Sequence, residues 1–239
     1  SPFHSETDMS DIADYYDLSR LRPEVIKVLR RVNELGVEKF APRAKAIDDD
    51  ASFPVENYKD LADEGFLGLC IPEEYGGLGF SMWEYAMVGA EIGKYCGATA
   101  LTFNMHNSSM AWSRFMYDMP NLSAEEKAAF APLREKQFRR AMKERAIYSQ
   151  PISEGGQNWT SKPNQTQCRK VDGGWKINGF KKFASLAGYC DYYTIVCTET
   201  FEGMEPRHED TMLFVVHKDA PGLSVKGDWD PLGMRGTNS

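Results

Sequence analysis

The periodicity of the hydrophobic residues changes near Ala146 of this 239-residue chain. Before that point apolar residues recur every three or four positions, as Val25, Leu29 and Val32 do, which is the spacing of an amphipathic helix. After it, short runs rich in β-branched and aromatic residues predict strands. Helices followed by strands indicate an α+β chain, with a helical domain over residues 11–145 and a sheet domain over residues 146–239.

Five helices are predicted in the first domain. Pro23 is favoured in the first turn of a helix, Gly65 ends one, and Ser123 with Glu126 forms a capping box. Gly89 and Gly93 lower the helix propensity of their segment but permit a close approach to a neighbouring helix. The helices are expected from Pro23 to about Leu35, over Val55–Glu64, around Met82–Gly93, over Ala98–Tyr117, and from Ser123 to about Glu144.

The strand predictions in the second domain follow the same logic. Asp172-Gly173-Gly174 is typical of a hairpin turn between two strands, and Pro151 ends the strand before it. The sequence stops in a predicted loop of the sheet, so we expect the chain to be incomplete. The strands are expected over Ala146–Gln150, Thr166–Val171, Trp175–Asn178, Tyr192–Thr198 and Thr211–Val216.

Charge and composition exclude several classes of function. The formal net charge is -7 with the two signs interspersed, so nucleic acid is not an expected partner. No apolar run approaches the roughly 20 residues of a membrane span. Five cysteines without a C-x-x-C pair, and no secretory hydrophobic region, indicate reduced thiols and a cytoplasmic protein. The histidines lack metal-ligand spacing, and no dinucleotide fingerprint or Walker A motif is present.

Two segments offer groups that suit a planar cofactor. Ser153–Asn158 is a loop of small and polar residues after a predicted strand, able to receive a phosphate or another polar edge. Phe183 and Ser185 are two positions apart, so in an extended strand both side chains lie on one face. On the local pattern alone, an ordinary hairpin loop and an ordinary core phenylalanine are the better explanation of these segments.

Several segments of the chain, taken in order, carry a family signature. Ile71–Gly79 matches a P-E-E-Y-G-G-x-G pattern, and Ile177–Ser185 matches I-N-G-x-K-x-W-I-T. Phe103–Ser108, Tyr148–Trp159 and Leu232–Thr237 match three further family segments in the expected order. The chain thereby resembles the acyl-CoA dehydrogenases.

The resemblance implies a particular fold and set of site residues. In that family a helical N-terminal domain is followed by a β-barrel-like middle domain and a C-terminal four-helix domain. The last would lie beyond Ser239 and would supply the catalytic base, so no catalytic residue is assigned in this chain. The implied FAD contacts are Tyr148, Gln150, Pro151, Gly156, Gln157, Phe183, Ala184 and Ser185, and the implied substrate contacts are Phe103, His106 and Gln157.

Within this resemblance, Phe183 stands in place of the tryptophan that packs on the flavin ring. Ser185 stands in place of the threonine that hydrogen-bonds near flavin N5, and Gln157 in place of a serine near the diphosphate and thioester. His106 would border the acyl chain, although a buried core histidine explains it as well. Pro151 replaces the motif's threonine and removes both a hydroxyl and a backbone N–H.

The implied activity is α,β-dehydrogenation of an acyl-CoA or acyl-carrier thioester, with hydride transfer to flavin N5. Implied partners are an electron-transfer flavoprotein and further copies of the chain, as a dimer or tetramer. Two alternatives stay open at this stage, a flavin-dependent monooxygenase of the same superfamily and a non-catalytic subunit of a mixed oligomer.

Overall fold

A computed structural model describes residues 11–156 and 161–239, which divide into two compact units. The first holds the described residues up to Arg145 together with Asp230–Thr237, and it is helical. The second holds the described residues of Ala146–Trp229 with Asn238–Ser239, and it contains the sheet. The predicted α+β class is therefore confirmed.

The described part of the first unit has six α-helices. Five of them match the predicted helices to within a few residues, and the capping box of Ser123 and Glu126 is present in both directions. The sixth was not predicted, because it lacks a periodic apolar face: Ile47 is its buried residue. The helices are α1 Pro23–Leu35, α2 Ala41–Asp49, α3 Val55–Asp63, α4 Met82–Gly93, α5 Gly97–Asp118 and α6 Ala124–Lys143.

Helix α5 lies at the centre of this unit and packs against α3, α4 and α6. Its Phe103 ring is fully buried, with ring centroids 6.0 Å from Tyr58 of α3 and 6.4 Å from Tyr85 of α4. The Tyr58 ring meets Phe103 edge to face and the Tyr85 ring is tilted by 50° to it, and aromatic packing of this kind buries large apolar areas. Phe103 is thus a core residue that joins three helices.

The close approach to another helix that the sequence permits is found at Gly93. A Cβ atom on Gly93 would lie 3.7 Å from Ala100 Cβ of α5, which is ordinary packing distance. At Gly89 the three nearest atoms belong to Tyr85 of the same helix.

Asp230–Thr237, which the sequence prediction assigned to the sheet domain, groups with the helices. The segment packs closely against the helical unit because residue 236 is a glycine. A Cβ atom on Gly236 would lie 2.7 Å from both the Ser52 carbonyl oxygen and Ile47 Cγ2. Arg235 also forms an ion pair with Asp48 at 3.0 Å. A small residue and a charge pair therefore hold this segment against α2 and the turn that follows it.

The second unit contains a five-stranded mixed sheet. Its strands are β1 Tyr148–Ser149, β2 Gln167–Val171, β3 Gly174–Asn178, β4 Tyr192–Glu199 and β5 Thr211–His217. β4 is central: it pairs in parallel with β1 and β2 along one side and antiparallel with β5 on the other. β2 and β3 form the predicted hairpin. Within the described residues β3 and β5 each have one neighbour, so the sheet is open.

Two strand predictions need correction. The strand expected over Ala146–Gln150 is reduced to the two residues of β1. The segment before Ser185 is not an extended strand, because Phe183 has a φ of 59° and a turn follows it. A left-handed residue breaks the two-residue alternation, so the predicted common face of Phe183 and Ser185 does not hold.

None of the described helices has the length and hydropathy needed to cross a lipid bilayer. All five cysteines are free thiols, and each is buried.

Candidate cofactor pocket

A pocket of about 210 Å³ opens in the sheet unit. Three segments form it: the loop after β1, the stretch that leads into β2, and the stretch that follows β3. The first and third are the two segments in which the sequence analysis expected a cofactor. The lining residues are Ile152, Ser153, Glu154, Gly155, Gly156, Pro163, Asn164, Lys182 and Phe183.

The Glu154 carboxylate ties the three segments together. It accepts a hydrogen bond from Lys181 Nζ at 2.6 Å and from the backbone N–H groups of Gln165 and Thr166 at 2.6 and 2.8 Å. The Lys181 ammonium also donates to the Ile152 carbonyl at 3.2 Å. A buried carboxylate with this many donors holds both loops at a defined spacing.

The charge state of Glu154 follows from these contacts. Burial by itself raises the pKa of this carboxyl, but the hydrogen bonds from Lys181, Thr166 and Gln165 outweigh burial and bring the pKa below its ordinary value. Glu154 is therefore ionised at neutral pH, and its carboxylate accepts the three hydrogen bonds described above. Such a group is a structural anchor rather than a proton acceptor for a substrate.

Two consecutive glycines shape the floor of the pocket. Gly155 and Gly156 have φ angles of 80° and 79°, a left-handed conformation that suits glycine. A Cβ atom on Gly155 would lie 2.9 Å from Lys182 Cε, so a side chain at this position would displace the lysine. The glycines leave backbone and the Lys182 side chain exposed to the pocket. Within the described residues the Lys182 ammonium has no carboxylate partner.

Asn164 is the most unusual residue of the pocket. Its side chain is buried, with 3% of the residue exposed, yet neither Nδ2 nor Oδ1 has a hydrogen-bond partner among the described residues. Its backbone N–H donates to Thr198 Oγ1 of β4 at 2.8 Å, which fixes the position of the chain. Buried amides are almost always paired, so a group left unpaired beside a pocket needs an explanation.

Phe183 lies at the rim of the pocket with 58% of the residue exposed. Its ring meets the edge of Trp229, with centroids 6.3 Å apart and an interplanar angle of 83°. The Lys182 ammonium lies over the same ring, 5.5 Å from its centroid, so Phe183 is an exposed aromatic ring with a cation beside it. The sequence prediction of Phe183 as a ring-packing residue is compatible with this position and stays a prediction.

Of the other predicted cofactor residues that the structure describes, Gly156 lines the pocket and the rest do not. Tyr148 is fully buried and stacks on Tyr192 at 5.1 Å. Ser149 Oγ donates to the Ser185 carbonyl at 2.7 Å and so links β1 to the turn after Phe183. Gln150, Pro151, Ala184 and Ser185 do not line the pocket, and Gln157 lies outside the described residues. Their cofactor contacts also stay predictions.

The sequence prediction named the segments that contain Glu154, Lys181 and Lys182 but gave these three residues no role of their own, and it did not name Asn164. Lys181 lies in the I-N-G-x-K segment, so its position was a usable signal. The sequence around Asn164 gives no sign that this residue lines a pocket. The pocket exists only because the loop of residues 152–156 packs next to it in the folded chain.

The predicted substrate residues lie in the first unit, in the core. His106 is fully buried, and its Nε2 atom lies 2.9 Å from the Leu67 carbonyl oxygen. Phe103 and His106 stack with their ring centroids 6.4 Å apart. Their predicted contact with a substrate is not tested by this arrangement.

A different face of α5 borders an open groove of about 440 Å³. Its walls come from small residues of α4 and α5 together with Tyr85, Leu101, Asn104 and Met234. Tyr85 is 2% exposed, and its hydroxyl has no hydrogen-bond partner among the described residues. The groove is thus largely apolar, with one unsatisfied hydroxyl group in its lining.

Comparison with known proteins agrees with this arrangement of units. The model of the acyl-CoA dehydrogenase N-terminal domain matches residues 23–117, and that of the acyl-CoA dehydrogenase middle domain matches residues 152–239. The chain is 27% identical to the probable acyl-CoA dehydrogenase YngJ of Bacillus subtilis, over 92% of this chain and 54% of that protein. It is 29% identical to L-evernosamine nitrososynthase of a Micromonospora species, over 85% of this chain and 45% of that protein.

Among solved structures, KijD3 in complex with FMN and a dTDP-sugar is similar to the chain with a TM-score of 0.77 and 24% identity. The match covers 92% of this chain and 50% of KijD3, and at this identity it shows the fold alone. The chain spans about half the length of the curated relatives it matches. Two domain models in the expected order, over a helical unit and a sheet unit, assign the chain to the acyl-CoA dehydrogenase family.

Proposed function

We propose that this chain holds a flavin, FAD in the first instance, and takes part in the α,β-dehydrogenation of an acyl thioester. The pocket carries the proposal, because two of the three segments that form it are those in which the family resemblance expects the cofactor. It combines an exposed aromatic ring at Phe183, a cation at Lys182 and an unsatisfied amide at Asn164. A planar, polar-edged and phosphorylated ligand is complementary to that set.

The residues present fit such a group. The Phe183 face offers a stacking surface, and the left-handed pair Gly155 and Gly156 exposes backbone beside Lys182, a combination suited to a phosphate. When bound, a flavin supplies a two-electron acceptor for hydride. The buried ion pair of Lys181 and Glu154 keeps the two cofactor loops in place before binding. Binding of the flavin therefore requires little further ordering of these loops.

The proton acceptor of the reaction is proposed to lie elsewhere in the assembled protein. Glu154 is the carboxylate in the pocket lining, and its oxygens already accept three hydrogen bonds. The contribution of this chain is therefore to bind and orient the cofactor. Electron transfer to a flavoprotein partner, assembly with further copies of the chain, and a cytoplasmic location belong to the same proposal.

The groove beside α5 is proposed as the place where an acyl chain contacts the helical unit. Leu101 and the small residues of α4 and α5 give it apolar walls, whereas Phe103 and His106 are fully buried in the core. A Leu101→Trp substitution narrows the groove and should shift substrate preference to shorter acyl chains. If the preference for acyl-chain length does not change, the groove does not contact the acyl chain. The proposal of flavin binding at the other pocket does not depend on this result.

The first experiment is flavin binding by the protein, followed by anaerobic addition of acyl-CoA thioesters of increasing length. Bound flavin should lose its visible absorbance as it is reduced. Phe183→Ala should weaken flavin binding, and Phe183→Trp should preserve it, because only the second keeps an aromatic face. Absence of bleaching with every thioester tested would overturn dehydrogenation, and absence of any bound flavin would overturn the whole proposal.

A flavin-dependent monooxygenase is the second candidate. Pro151 replaces the threonine of the family motif, and a nitrososynthase is among the curated relatives at 29% identity. This alternative expects FMN or loosely held flavin, and rapid reaction of the reduced flavin with oxygen. Comparing the affinities for FAD and FMN, and the rate of reoxidation in air, separates the two reactions.

A further inference from the structure

We propose that Asn164 is the residue that recognises the pyrimidine edge of the flavin, through a hydrogen bond donated and a hydrogen bond accepted. The inference rests on the proposed flavin function and goes beyond the family resemblance, which assigns no role to this position. It starts from two atoms of one side chain, Nδ2 and Oδ1, that are buried at a pocket and unpaired in the described residues.

Hydrogen bonds of the main chain fix the position of the unpaired Asn164 amide. The Asn164 backbone N–H is held by Thr198 Oγ1 at 2.8 Å, and the next two backbone N–H groups are held by the Glu154 carboxylate. The main chain on this side of the pocket therefore has little freedom to carry the side chain out to water. Rotating the amide by half a turn exchanges its oxygen and nitrogen, and this leaves both positions unsatisfied.

The identity of the missing partner follows from the amide's chemistry. Asn164 needs a ligand that offers an acceptor and a donor side by side. A phosphate offers acceptors only and would leave Oδ1 unpaired, and Lys182 is the better group for it. The pyrimidine ring of a flavin presents an N–H next to a carbonyl oxygen, which satisfies both atoms. Phe183 at the rim supplies the flat surface that such a ring requires.

The test measures ring recognition directly, with lumiflavin as the probe because it carries no phosphate. Asn164→Ala should weaken lumiflavin binding about tenfold, and Asn164→Asp should also weaken it, because a carboxylate lacks the donor. N3-methyl-lumiflavin, which lacks the ring N–H, should bind the wild-type protein about tenfold more weakly than lumiflavin. Asn164→Ala should not distinguish the two flavins.

A second measurement separates recognition from a structural role. Without ligand, Asn164→Leu should be as stable to urea as the wild-type protein or more stable, because it removes two unpaired buried groups. The matched control is Asn57, whose buried amide is paired with both Thr99 Oγ1 and Arg43 at 2.9 and 2.8 Å. Asn57→Leu should lower the stability of the helical unit and leave lumiflavin affinity unchanged.

Each outcome decides the inference. Equal affinity of wild-type and Asn164→Ala protein for lumiflavin overturns it, while flavin binding itself would still stand. A loss seen with FAD alone, and not with FMN or lumiflavin, would place the adenine against Asn164 and also overturn it. Failure of the wild-type protein to bind any flavin removes the proposed function and this inference together.

Discussion

The Lys181 ammonium and the Glu154 carboxylate are joined by a 2.6 Å contact, with side-chain exposures of 8% and 4%. The two residues come from different loops, one after β1 and one after β3. Glu154 also accepts hydrogen bonds from two backbone N–H groups just before β2. One ion pair therefore sets the spacing between the segments that line the candidate cofactor pocket.

Breaking this pair should destabilise the sheet unit. Glu154→Gln leaves the Lys181 ammonium buried without a countercharge, and the expected loss in the free energy of unfolding is about 3 kcal/mol. Urea unfolding followed by tryptophan fluorescence measures the loss. Glu154→Gln combined with Lys181→Met should recover part of it. As a control, Arg139→Gln removes the exposed pair with Glu135 and should change stability by less than about 0.5 kcal/mol.

The free energy of unfolding should depend on pH in part through the ionisation of Glu154. Its pKa lies below the ordinary value of 4.5 in the folded protein, because the hydrogen bonds it accepts outweigh the effect of burial. A carboxyl of this kind adds stability above its unfolded pKa and loses it as the pH falls through the folded-state value. Stability should hold from pH 7 to about 4.5 and decline below that. The decline should be shallower in Glu154→Gln, and an identical slope would contradict the assignment.

The cysteines should react slowly in the native protein. Burial raises the pKa of Cys70 and of Cys190 to about 12, and it also raises the pKa of Cys168 and Cys197. Only the thiolate attacks a disulfide reagent, and all five thiols are buried. An aromatic disulfide reagent at pH 8 should therefore label less than one equivalent before unfolding and five equivalents in urea. Rapid labelling of the native chain would show that a thiol is accessible.

Gly77 should be intolerant of any side chain. A Cβ atom at this position would lie 2.1 Å from the Ile71 carbonyl oxygen and 2.5 Å from Ile71 Cβ. Because part of the obstacle is backbone, Gly77→Ala should cost about 2–3 kcal/mol of stability, measured by urea unfolding with helical circular dichroism. Gly233→Ala is the control, since no atom of the residues that the structure describes lies within 4 Å of its added Cβ and the expected change is within about 0.5 kcal/mol.

Local sequence patterns predicted most of the secondary structure. Five helices and the hairpin of β2 and β3 depend on contacts within a few residues, such as the Ser123 and Glu126 capping box, and their bounds were predicted closely. The extended segment at Phe183 was predicted wrongly, because a left-handed backbone at a phenylalanine is imposed by surroundings that no local pattern records.

The sequence by itself determined the α+β class, the order of the helices and strands, and the family to which the chain belongs. Only the tertiary structure decided which residues share the pocket. Glu154, Asn164 and Lys181 are separated by up to 27 residues and come together because β4 pairs with β1 and β2 on the same side. The roles of these groups depend on their burial and hydrogen bonds. Glu154 is paired, whereas the buried Asn164 amide has no partner among the described residues. Whether a polar group is paired depends on residues that are distant in sequence, so the sequence pattern does not predict it.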